Sequence, residues 1–304
     1  MKIHIPIYDR NGIGGGWSFL RNLEKGLKSD CYFVDNLCEA DILFIAGPTL
    51  AIHEIVESAE RLGKPIVLRV DNIPEDYRNR GTALSRLKIF SEKADVVVYQ
   101  SEWARGYVGG YTGVDGTVIY NGVDKNIFKP TTNKIELKDC ALDKLDALTY
   151  TSAHRVLYVR SSTNESKRWQ EAKYFFREMW LKNRIAKLSV VGNFGDYVKL
   201  YGDDFIGRYT LGAFDEPIEY LGQLNTAEQM AKVMRNSDEI LISFYNDACS
   251  NVVLEARACG LKINTCLSGM TGGTPELLNL PIEDIGIDRM AADYLALFNL
   301  VLNS

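Results

Sequence analysis

Short apolar runs alternate with amphipathic stretches along the first half of the chain. The runs predict strands over 2–8, 31–35, 41–46, 65–70, 95–100 and 117–120. The stretches between them repeat their apolar positions with a helical period and predict helices over 17–28, 49–62, 82–93 and 102–109. Wholly apolar strands separated by helices are typical of a parallel sheet covered on both faces. The first half is therefore predicted to be an α/β domain.

The pattern lapses from the segment FKPTTNKIELKDC onward and resumes at His154. Strands are then predicted over 155–160, 187–191, 218–221, 239–243 and 262–265, with helices near 168–183, 226–236, 251–259, 274–279 and 288–302. We interpret this as an N-terminal domain (1–130), an inter-domain connection (131–153), a C-terminal domain (154–287) and a C-terminal helix (288–304). One option for that helix is packing back on the N-terminal domain. Two doubly wound sheets facing each other across a cleft are expected, with ligands beyond the carboxyl ends of the strands.

Composition narrows the class of protein. With 304 residues, 46% of them apolar and 25% charged, the chain is long enough for two globular domains. A net charge of −5 argues against nucleic acid as the main partner. No apolar run reaches the roughly 18 residues of a membrane span, and MKIHIPIYDR predicts a strand rather than a signal peptide. A cytoplasmic protein is expected, with peripheral membrane contact left open.

The cysteines show no CxxC pair and no regular spacing; they are Cys31, Cys38, Cys140, Cys249, Cys259 and Cys266. Unpaired thiols in a reducing compartment are the simpler interpretation. The three histidines (4, 53 and 154) do not cluster with the cysteines in the sequence, so no metal is expected.

The stretch DACSNVVLE places two carboxylates, Asp247 and Glu255, around a helix predicted to begin near Asn251. Backbone N–H groups at a helix start favour an anion, so those of residues 249–252 would hold a diphosphate. An ionised carboxylate accepts hydrogen bonds from sugar hydroxyls. A nucleotide sugar fits this arrangement, with Glu255 on the ribose and Asp247 on the transferred sugar. The predicted donor-binding residues are Asp247, Ala248, Cys249, Ser250, Asn251, Val252 and Glu255; a helix with an ordinary acidic surface is the alternative.

D-x7-E followed by ARACGLKINTCLSGMTGGTPEL resembles the E-x7-E region of retaining GT-B glycosyltransferases, in particular glycosyltransferase family 4. TVIYNGVDKNIFKP and YLGQLNTAEQMAKVMRNSDEILIS are similar to two further segments of that family. The chain departs from the family at Asp247, where a Glu is usual, and in Cys-Ser-Asn, where a glycine-containing turn is common. The resemblance implies the GT-B architecture, two Rossmann-like domains of doubly wound parallel sheets facing across a cleft.

The resemblance also implies roles for two loops. The loop after the strand YLG contacts the nucleobase through backbone groups in relatives, which corresponds here to Gly222, Gln223 and Leu224. In LYVRSSTNESKRW, Arg160 and Lys167 would neutralise the departing nucleoside diphosphate, with Arg168 as the alternative to Lys167. A solvated basic loop is the competing interpretation.

A glycine-rich turn follows the first strand in YDRNGIGGGWSFLRNL. Gly14, Gly15 and Gly16 would let the backbone approach the phosphate or sugar of the donor. The segment fails as a dinucleotide fingerprint because Trp17 stands where the third glycine belongs. Asp35 ends the second strand, so a nicotinamide cofactor stays open as an alternative, as does a plain tight turn.

Asp71 follows the strand VLRV. Many members of the resembled family carry a histidine in this part of the cleft, and none of the three histidines here falls there. Asp71 is predicted to replace it, contacting the donor sugar or the acceptor hydroxyl. An aspartate in a turn before Ile73-Pro74 is the alternative.

The expected function is that of a retaining hexosyltransferase in polysaccharide biosynthesis. It would use a UDP- or GDP-linked sugar, a glycan or lipid-linked acceptor and neither metal nor cofactor. The acceptor would attack the sugar from the same face from which the leaving group departs. Closure of the two domains would bring donor and acceptor together. A sugar-nucleotide epimerase or a phosphorylase of the same fold, and a non-catalytic nucleotide-sugar-binding protein, are the alternatives.

Overall fold

The structure, a computed structural model, describes residues 1–12, 14–28, 30–75, 82–131, 154–159, 165–192 and 217–304. The chain forms two compact units. The first unit comprises Met1–Asp124, Asp247–Asn251 and Gly272–Ser304. The second comprises Lys125–Asn246 and Val252–Thr271.

A parallel sheet forms the centre of the first unit. Its described strands are β1 (Lys2–His4), β2 (Tyr32–Val34), β3 (Ile42–Ile45), β4 (Ile66–Val70), β5 (Val96–Tyr99) and β6 (Thr117–Val118). They lie in the order β2-β1-β3-β4-β5-β6, and all neighbouring pairs are parallel. The direction of winding reverses between β1 and β3, so the switch point lies at their carboxyl ends.

Helices cover both faces of this sheet. They are α1 (Gly15–Leu27), α2 (His53–Arg61), α3 (Ala83–Lys93), α4 (Glu102–Thr112), α8 (Thr274–Asn279) and α9 (Ile287–Leu302). Strand β3 divides its side chains between two cores because successive residues point to opposite faces. Phe44 packs with residues of α1 and α9, and Leu43 packs with residues of α2, α3 and α4.

A second parallel sheet forms the centre of the second unit. Its described strands are β7 (His154–Val159), β8 (Ala186–Val191), β9 (Ile218–Gly222), β10 (Glu239–Ile242) and β11 (Lys262–Thr265). They lie in the order β11-β10-β7-β8-β9, all parallel. The described helices are α5 (Trp169–Lys182), α6 (Ala227–Arg235) and α7 (Asn251–Ala258), whose first residue belongs to the first unit. Here the winding reverses between β7 and β10.

Two elements begin or end elsewhere than the apolar pattern predicts. Strand β1 ends at His4 rather than at residue 8, because Pro6 has no N–H to donate to a neighbouring strand. Helix α2 begins at His53 rather than near residue 49. Residues Pro48–Leu50 form a 3₁₀ turn, and the backbone then extends through Ala51 and Ile52 before the helix starts.

The compact units do not follow the domain limits expected from the sequence. Residues 247–251 and 272–287, which fall inside the expected C-terminal domain, belong to the first unit, and 125–130 belong to the second. Helix α9 contributes Met290, Tyr294 and Phe298 to the core around α1. Helix α9 is therefore part of the first unit.

Candidate functional site

The glycine turn after β1 leads into a helix with an open amino end. Gly14 has a φ of 136°, in the region that favours glycine, and α1 begins at Gly15. No side chain caps this end, and its first turn carries no acidic residue. Such an end presents backbone N–H groups and the positive end of the helix dipole. The turn can therefore receive an anion.

In the first unit, Asp71 lies between the glycine turn at the start of α1 and the loop that follows β3. It follows β4 directly, and a side chain on Gly47 would place its Cβ only 2.5 Å from Asp71 Oδ1. A Cβ on Gly16 would lie 3.9 Å from Asp71 Oδ2, and Arg69 Nη1 lies 4.0 Å from the same oxygen. The structure thus brings the predicted residues Gly16 and Asp71 together near the switch point of the first sheet.

Arg69 is the centre of a buried polar network beneath Asp71. Only 2% of Arg69 is exposed. Its guanidinium donates to Ala46 O (2.9 Å), Gln100 Oε1 (2.7 Å) and Asn121 Oδ1 (3.1 Å). Its Cζ also lies 3.7 Å from the centroid of the Phe19 ring. Each polar partner follows the carboxyl end of a strand, so the network joins the loops after β3, β5 and β6.

Asn121 connects this network to the stretch Asp247–Asn251. Its Nδ2 lies 2.8 Å from Asn251 Oδ1 and 3.2 Å from Cys249 O. Asn251 Nδ2 in turn donates to Gly15 O at 3.3 Å. The predicted residues Gly15 and Asn251 are therefore in direct contact within the first unit, and Asn121 fixes the amide orientation of Asn251.

The loop ahead of α7 is tightly packed. Cys249 N donates to Asp247 Oδ1 at 3.2 Å, and Gly273 N donates to Asp247 O at 2.9 Å. Any Cβ at position 273 would lie 2.1 Å from Ala248 O, so only glycine fits there. Burial raises the pKa of the Cys249 thiol to about 12, so this cysteine is an inert thiol in the core. Ser250 Oγ is buried and has no hydrogen-bond partner among the described residues.

In the second unit, Lys167 lies at the carboxyl end of β10. Its carbonyl oxygen accepts hydrogen bonds from the Tyr158 hydroxyl and, at 2.9 Å, from Ser243 Oγ. Its Nζ lies 5.3 Å from the centroid of the Phe244 ring. This is the switch point of the second sheet. Arg160 lies outside the described residues.

Arg168 differs from Lys167 in its surroundings. It has a left-handed φ of 49°, is exposed, and its Cζ lies 5.1 Å from the centroid of the Tyr245 ring. The structure thus describes Lys167 and Arg168, the two alternatives that the sequence offers for the second cation of this loop.

The remaining predicted residues lie on two further elements. Gly222 ends β9 with a left-handed φ of 68°, and Gln223 and Leu224 follow at the carboxyl edge of the second sheet. Val252 is buried in the first turn of α7, and Glu255 is half-buried one turn further along. Glu255 belongs to the second unit and Asp247 to the first.

Metal ligands and membrane spans were sought among the same residues. Within the described ranges, no three histidine, cysteine or acidic side chains come together as a set that could hold a metal ion. No described helix is both long enough and apolar enough to cross a bilayer. The described cysteines are all free thiols.

Sequence reasoning missed three polar residues of the first-unit cluster, which are Arg69, Gln100 and Asn121. A signal for each was present. Arg69 is a charged residue inside the buried run IVLRV, and Gln100 directly follows another buried strand. Asn121 belongs to the segment TVIYNGVDKNIFKP, for which the sequence suggested no chemical role. Polar residues at the carboxyl ends of neighbouring parallel strands meet at one edge of the sheet.

Comparisons with known proteins show the fold. The sequence matches no family model and no curated protein. An Anabaena protein, Alr3699/HepE, whose structure contains UDP and glucose, superposes with a TM-score of 0.67 at 14% identity, covering 100% of this chain and 89% of that one. A glycosyltransferase from Rickettsia africae gives 0.67 at 14% identity, covering 100% and 99%. Sucrose-phosphate synthase from Thermosynechococcus elongatus gives 0.60 at 15% identity, covering 99% and 96%.

These similarities and the two parallel sheets confirm the predicted fold class, an α/β protein of two Rossmann-like domains. Several of the solved structures that resemble the chain, including the Anabaena protein and sucrose-phosphate synthase, are glycosyltransferases of the GT-B type.

Proposed function

We propose that the protein is a retaining, metal-independent glycosyltransferase that moves a hexose from a UDP- or GDP-linked sugar to a hydroxyl of a glycan or lipid-linked acceptor. The observation that carries the proposal is the start of α7. This helix begins directly after a buried loop, with Asp247 ahead of it and Glu255 one turn inside it. The similar Anabaena protein has been crystallised with UDP-glucose and with UDP, which supports a nucleotide-sugar donor.

Helix α7 is proposed to bind the diphosphate at its amino end. The N–H groups of Ser250, Asn251 and Val252 are at the start of the helix, where the dipole favours an anion. Ser250 Oγ adds a hydroxyl that lacks a partner among the described residues. Glu255 would accept from the ribose hydroxyls and Asp247 from the hydroxyls of the hexose.

Three other loops are proposed to complete donor binding. Gly222–Leu224 would hold the nucleobase through backbone groups. Arg160 and Lys167 would stabilise the charge that builds on the departing nucleoside diphosphate. Gly14–Gly16 would approach the phosphate or sugar through the open amino end of α1.

The chemical step is proposed to proceed on one face of the sugar. The bond between the anomeric carbon and the phosphate oxygen breaks, and the acceptor oxygen bonds to the same face. The acceptor proton passes to an oxygen of the leaving diphosphate, so the chain need supply no general base. Asp71 is proposed to orient the hexose or the acceptor hydroxyl.

The proposal is tested by incubating the full chain with UDP-, GDP- and ADP-sugars, with and without EDTA, in the presence of a panel of saccharide and lipid acceptors. Proton NMR identifies the anomeric configuration of the product. Nucleoside diphosphate release that survives EDTA and yields a product with the donor's configuration is expected. An inverted product contradicts the retaining mechanism, and a new sugar nucleotide formed without an acceptor identifies an epimerase.

Two variants separate binding from chemistry. Glu255→Gln should weaken UDP binding about 10- to 100-fold because it removes a charged hydrogen-bond acceptor. Lys167→Met should lower kcat about 100-fold or more with a smaller effect on UDP affinity. Glu228→Gln, an exposed carboxylate on α6, is the matched control and should change neither value. Unchanged UDP affinity in Glu255→Gln contradicts the assignment of the ribose site.

A further inference from the structure

A cavity opens on one face of the first sheet, beside the edge strand β2. Most connections between parallel strands contain a helix that covers the sheet. The link from β2 to β3 is short instead, residues 35–41, and forms a 3₁₀ turn at Leu37–Glu39. Between this link and α2 lies a cavity of about 520 Å³, a volume typical of small-molecule sites. None of the described residues that line it belongs to the candidate functional site.

His4 lies at the base of the cavity. Ile3 packs in the core around α1, so His4, the next residue of β1, points to the opposite face of the sheet. His4 lines the cavity although only 6% of the residue is exposed. Its Nδ1 lies 3.0 Å from Val34 O. A carbonyl oxygen can only accept, so Nδ1 carries the proton, and Nε2 of the neutral ring carries a lone pair.

The lone pair of His4 Nε2 has no internal donor. The hydrogen bond of this side chain to a described residue is the one that Nδ1 makes. Buried polar atoms in folded proteins are nearly always hydrogen-bonded, either within the protein or to a bound molecule. Nε2 is therefore placed to accept from a group that enters the cavity.

Two opposite charges line the walls of the cavity. Asp35 directly follows Val34, whose carbonyl accepts from His4, so the carboxylate and the imidazole lie on the wall formed by the link. Arg61 lies on the wall formed by α2, where its Nη2 donates to Ser58 Oγ at 3.0 Å. No described side chain of opposite charge lies within 4.0 Å of Asp35 or of Arg61. The two charges therefore face the cavity without neutralising each other directly.

The two walls select different chemical groups. Asp35 and His4 Nε2 both accept hydrogen bonds, which suits an ammonium group because it has three donors and no acceptor. Arg61 suits a carboxylate, which a guanidinium binds through two parallel hydrogen bonds. Leu37, Ile55 and Leu62 add apolar lining. A ligand that satisfies the whole cavity thus carries an ammonium, a carboxylate and an apolar group.

We propose that this cavity binds a free α-amino acid with an apolar side chain. Its ammonium donates to Asp35 and to His4 Nε2, its carboxylate accepts from Arg61, and its side chain packs on the apolar lining. A neutral saccharide carries neither charge, and a nucleotide would bring negative charge next to Asp35. This second site is separate from the proposed transferase activity and does not depend on it.

The experiment follows the imidazole of His4 in the full chain. The chain has three histidines, so protein labelled with ¹³C at histidine Cε1 gives one NMR signal for each. His53→Gln and His154→Gln assign the other two signals, which identifies His4 without altering the cavity. The protein is titrated with L-leucine and L-phenylalanine at pH 8, where an ordinary imidazole is neutral. We expect the His4 signal to shift to a saturating value while the other two stay unchanged.

Matched ligands and variants separate the two charges. N-Acetyl-L-leucine lacks the ammonium and L-leucinamide lacks the carboxylate, so each should bind about 10- to 100-fold more weakly than L-leucine. Asp35→Asn should weaken L-leucine by a similar factor but should not weaken N-acetyl-L-leucine. Arg61→Gln should weaken L-leucine but should leave L-leucinamide unchanged. A general loss of structure would affect all three ligands alike.

Two control variants remove a charge outside the cavity. Glu39→Gln removes an exposed carboxylate of the same link, and Lys88→Gln removes an exposed cation on α3. Both should leave the affinity for L-leucine unchanged. All four substitutions change exposed residues, so the variants should fold, which circular dichroism checks.

Three results would overturn the amino-acid site. The first is a His4 signal that no amino acid shifts. The second is equal affinity for L-leucine, N-acetyl-L-leucine and L-leucinamide, because neither charge then contributes. The third is a His4 signal that shifts with UDP-glucose or a malto-oligosaccharide and not with an amino acid, which would assign the cavity to a different ligand.

Discussion

Arg69 carries a charge inside a fully buried strand, and its neighbours compensate for the loss of water. An isolated buried charge costs several kcal/mol unless it is paired and hydrogen-bonded. Here two amide side chains and a backbone carbonyl accept from the guanidinium, and the Phe19 ring covers it. The apolar pattern predicted β4 but not this network. The acceptors lie 23, 31 and 52 positions from Arg69, and only the folded sheet brings them together.

Asn121 offers a direct test of the network. Asn121→Ala should lower the free energy of unfolding by about 1–3 kcal/mol, because it removes one of the three acceptors of the buried Arg69 guanidinium and the amide that donates to Asn251 Oδ1. Urea unfolding followed by circular dichroism measures this. Asn279→Ala, which removes an exposed bond to Pro275 O, is the control and should cost less than about 0.5 kcal/mol. Equal effects of the two substitutions would contradict a special role for Asn121.

Glu239 is a second buried charge, at the amino end of β10. Its side chain is 1% exposed, and it lies 2.6 Å from His154 Nε2 and 3.1 Å from Lys262 Nζ. Burial alone would raise the pKa of Glu239, but the hydrogen bonds from His154 and Lys262 outweigh it, so the pKa is lowered. A carboxyl with a lowered folded-state pKa stabilises the fold above its unfolded pKa and loses that contribution as the pH falls through the folded value.

Stability should therefore fall on acidification below about pH 4.5, the ordinary pKa of glutamate. Glu239→Gln should be less stable than the parent at pH 7, and the difference should shrink as the pH falls below that value. Urea unfolding from pH 7 to pH 3 measures both. Glu178→Gln on α5 is the control for loss of a carboxylate in the same unit. A difference from the parent that is the same at every pH would contradict the role of ionised Glu239.

At the scale of elements, α4 shows which features the sequence predicts and which it does not. Its period predicted a helix over 102–109, and the structure places it at Glu102–Thr112. Its amino end is held by a residue far along the chain. Glu276 Oε2 accepts from Glu102 N at 2.8 Å and from the Tyr120 hydroxyl at 2.9 Å, and Oε1 accepts from Trp103 N. The segment TPEL predicted the start of a helix. It did not predict that Glu276 caps α4, because the N–H groups that it accepts from lie more than 170 positions away in the sequence.

Removing that cap should destabilise the first unit. Glu276→Ala leaves two N–H groups of α4 without their acceptor and removes a negative charge from the positive end of the helix, which should cost about 1–2 kcal/mol. Burial and the bond to Glu276 together raise the pKa of Tyr120, so its phenol should ionise at lower pH in the variant. Thermal unfolding and ultraviolet titration of tyrosine measure the two effects. Glu57→Ala, an exposed glutamate on α2, is the control and should change neither.

At the scale of the whole molecule, the apolar pattern predicted the two parallel sheets but not which segments build each unit. The first unit joins three separate stretches of chain. Helix α9 is 16 residues long and places Phe298 against Phe44 and Tyr294, with ring centroids 5.5 and 5.7 Å away. Its apolar face was evident in the sequence, but packing on the N-terminal domain was only one option there, because the pattern of one helix does not specify its partner.

Because of this arrangement, the packing of α9 stabilises the first strands of the chain. Phe298→Ala should destabilise the first unit by about 3–5 kcal/mol, because the cavity lies in the core shared by α1, β3 and α9. Hydrogen exchange followed by mass spectrometry should show faster exchange in peptides from α1 and β3, more than 250 residues earlier in the chain. Leu300→Ala, on the same helix but 67% exposed, should leave those peptides unchanged. Faster exchange confined to α9 itself would mean that the helix frays independently, and that the first sheet keeps its core without it.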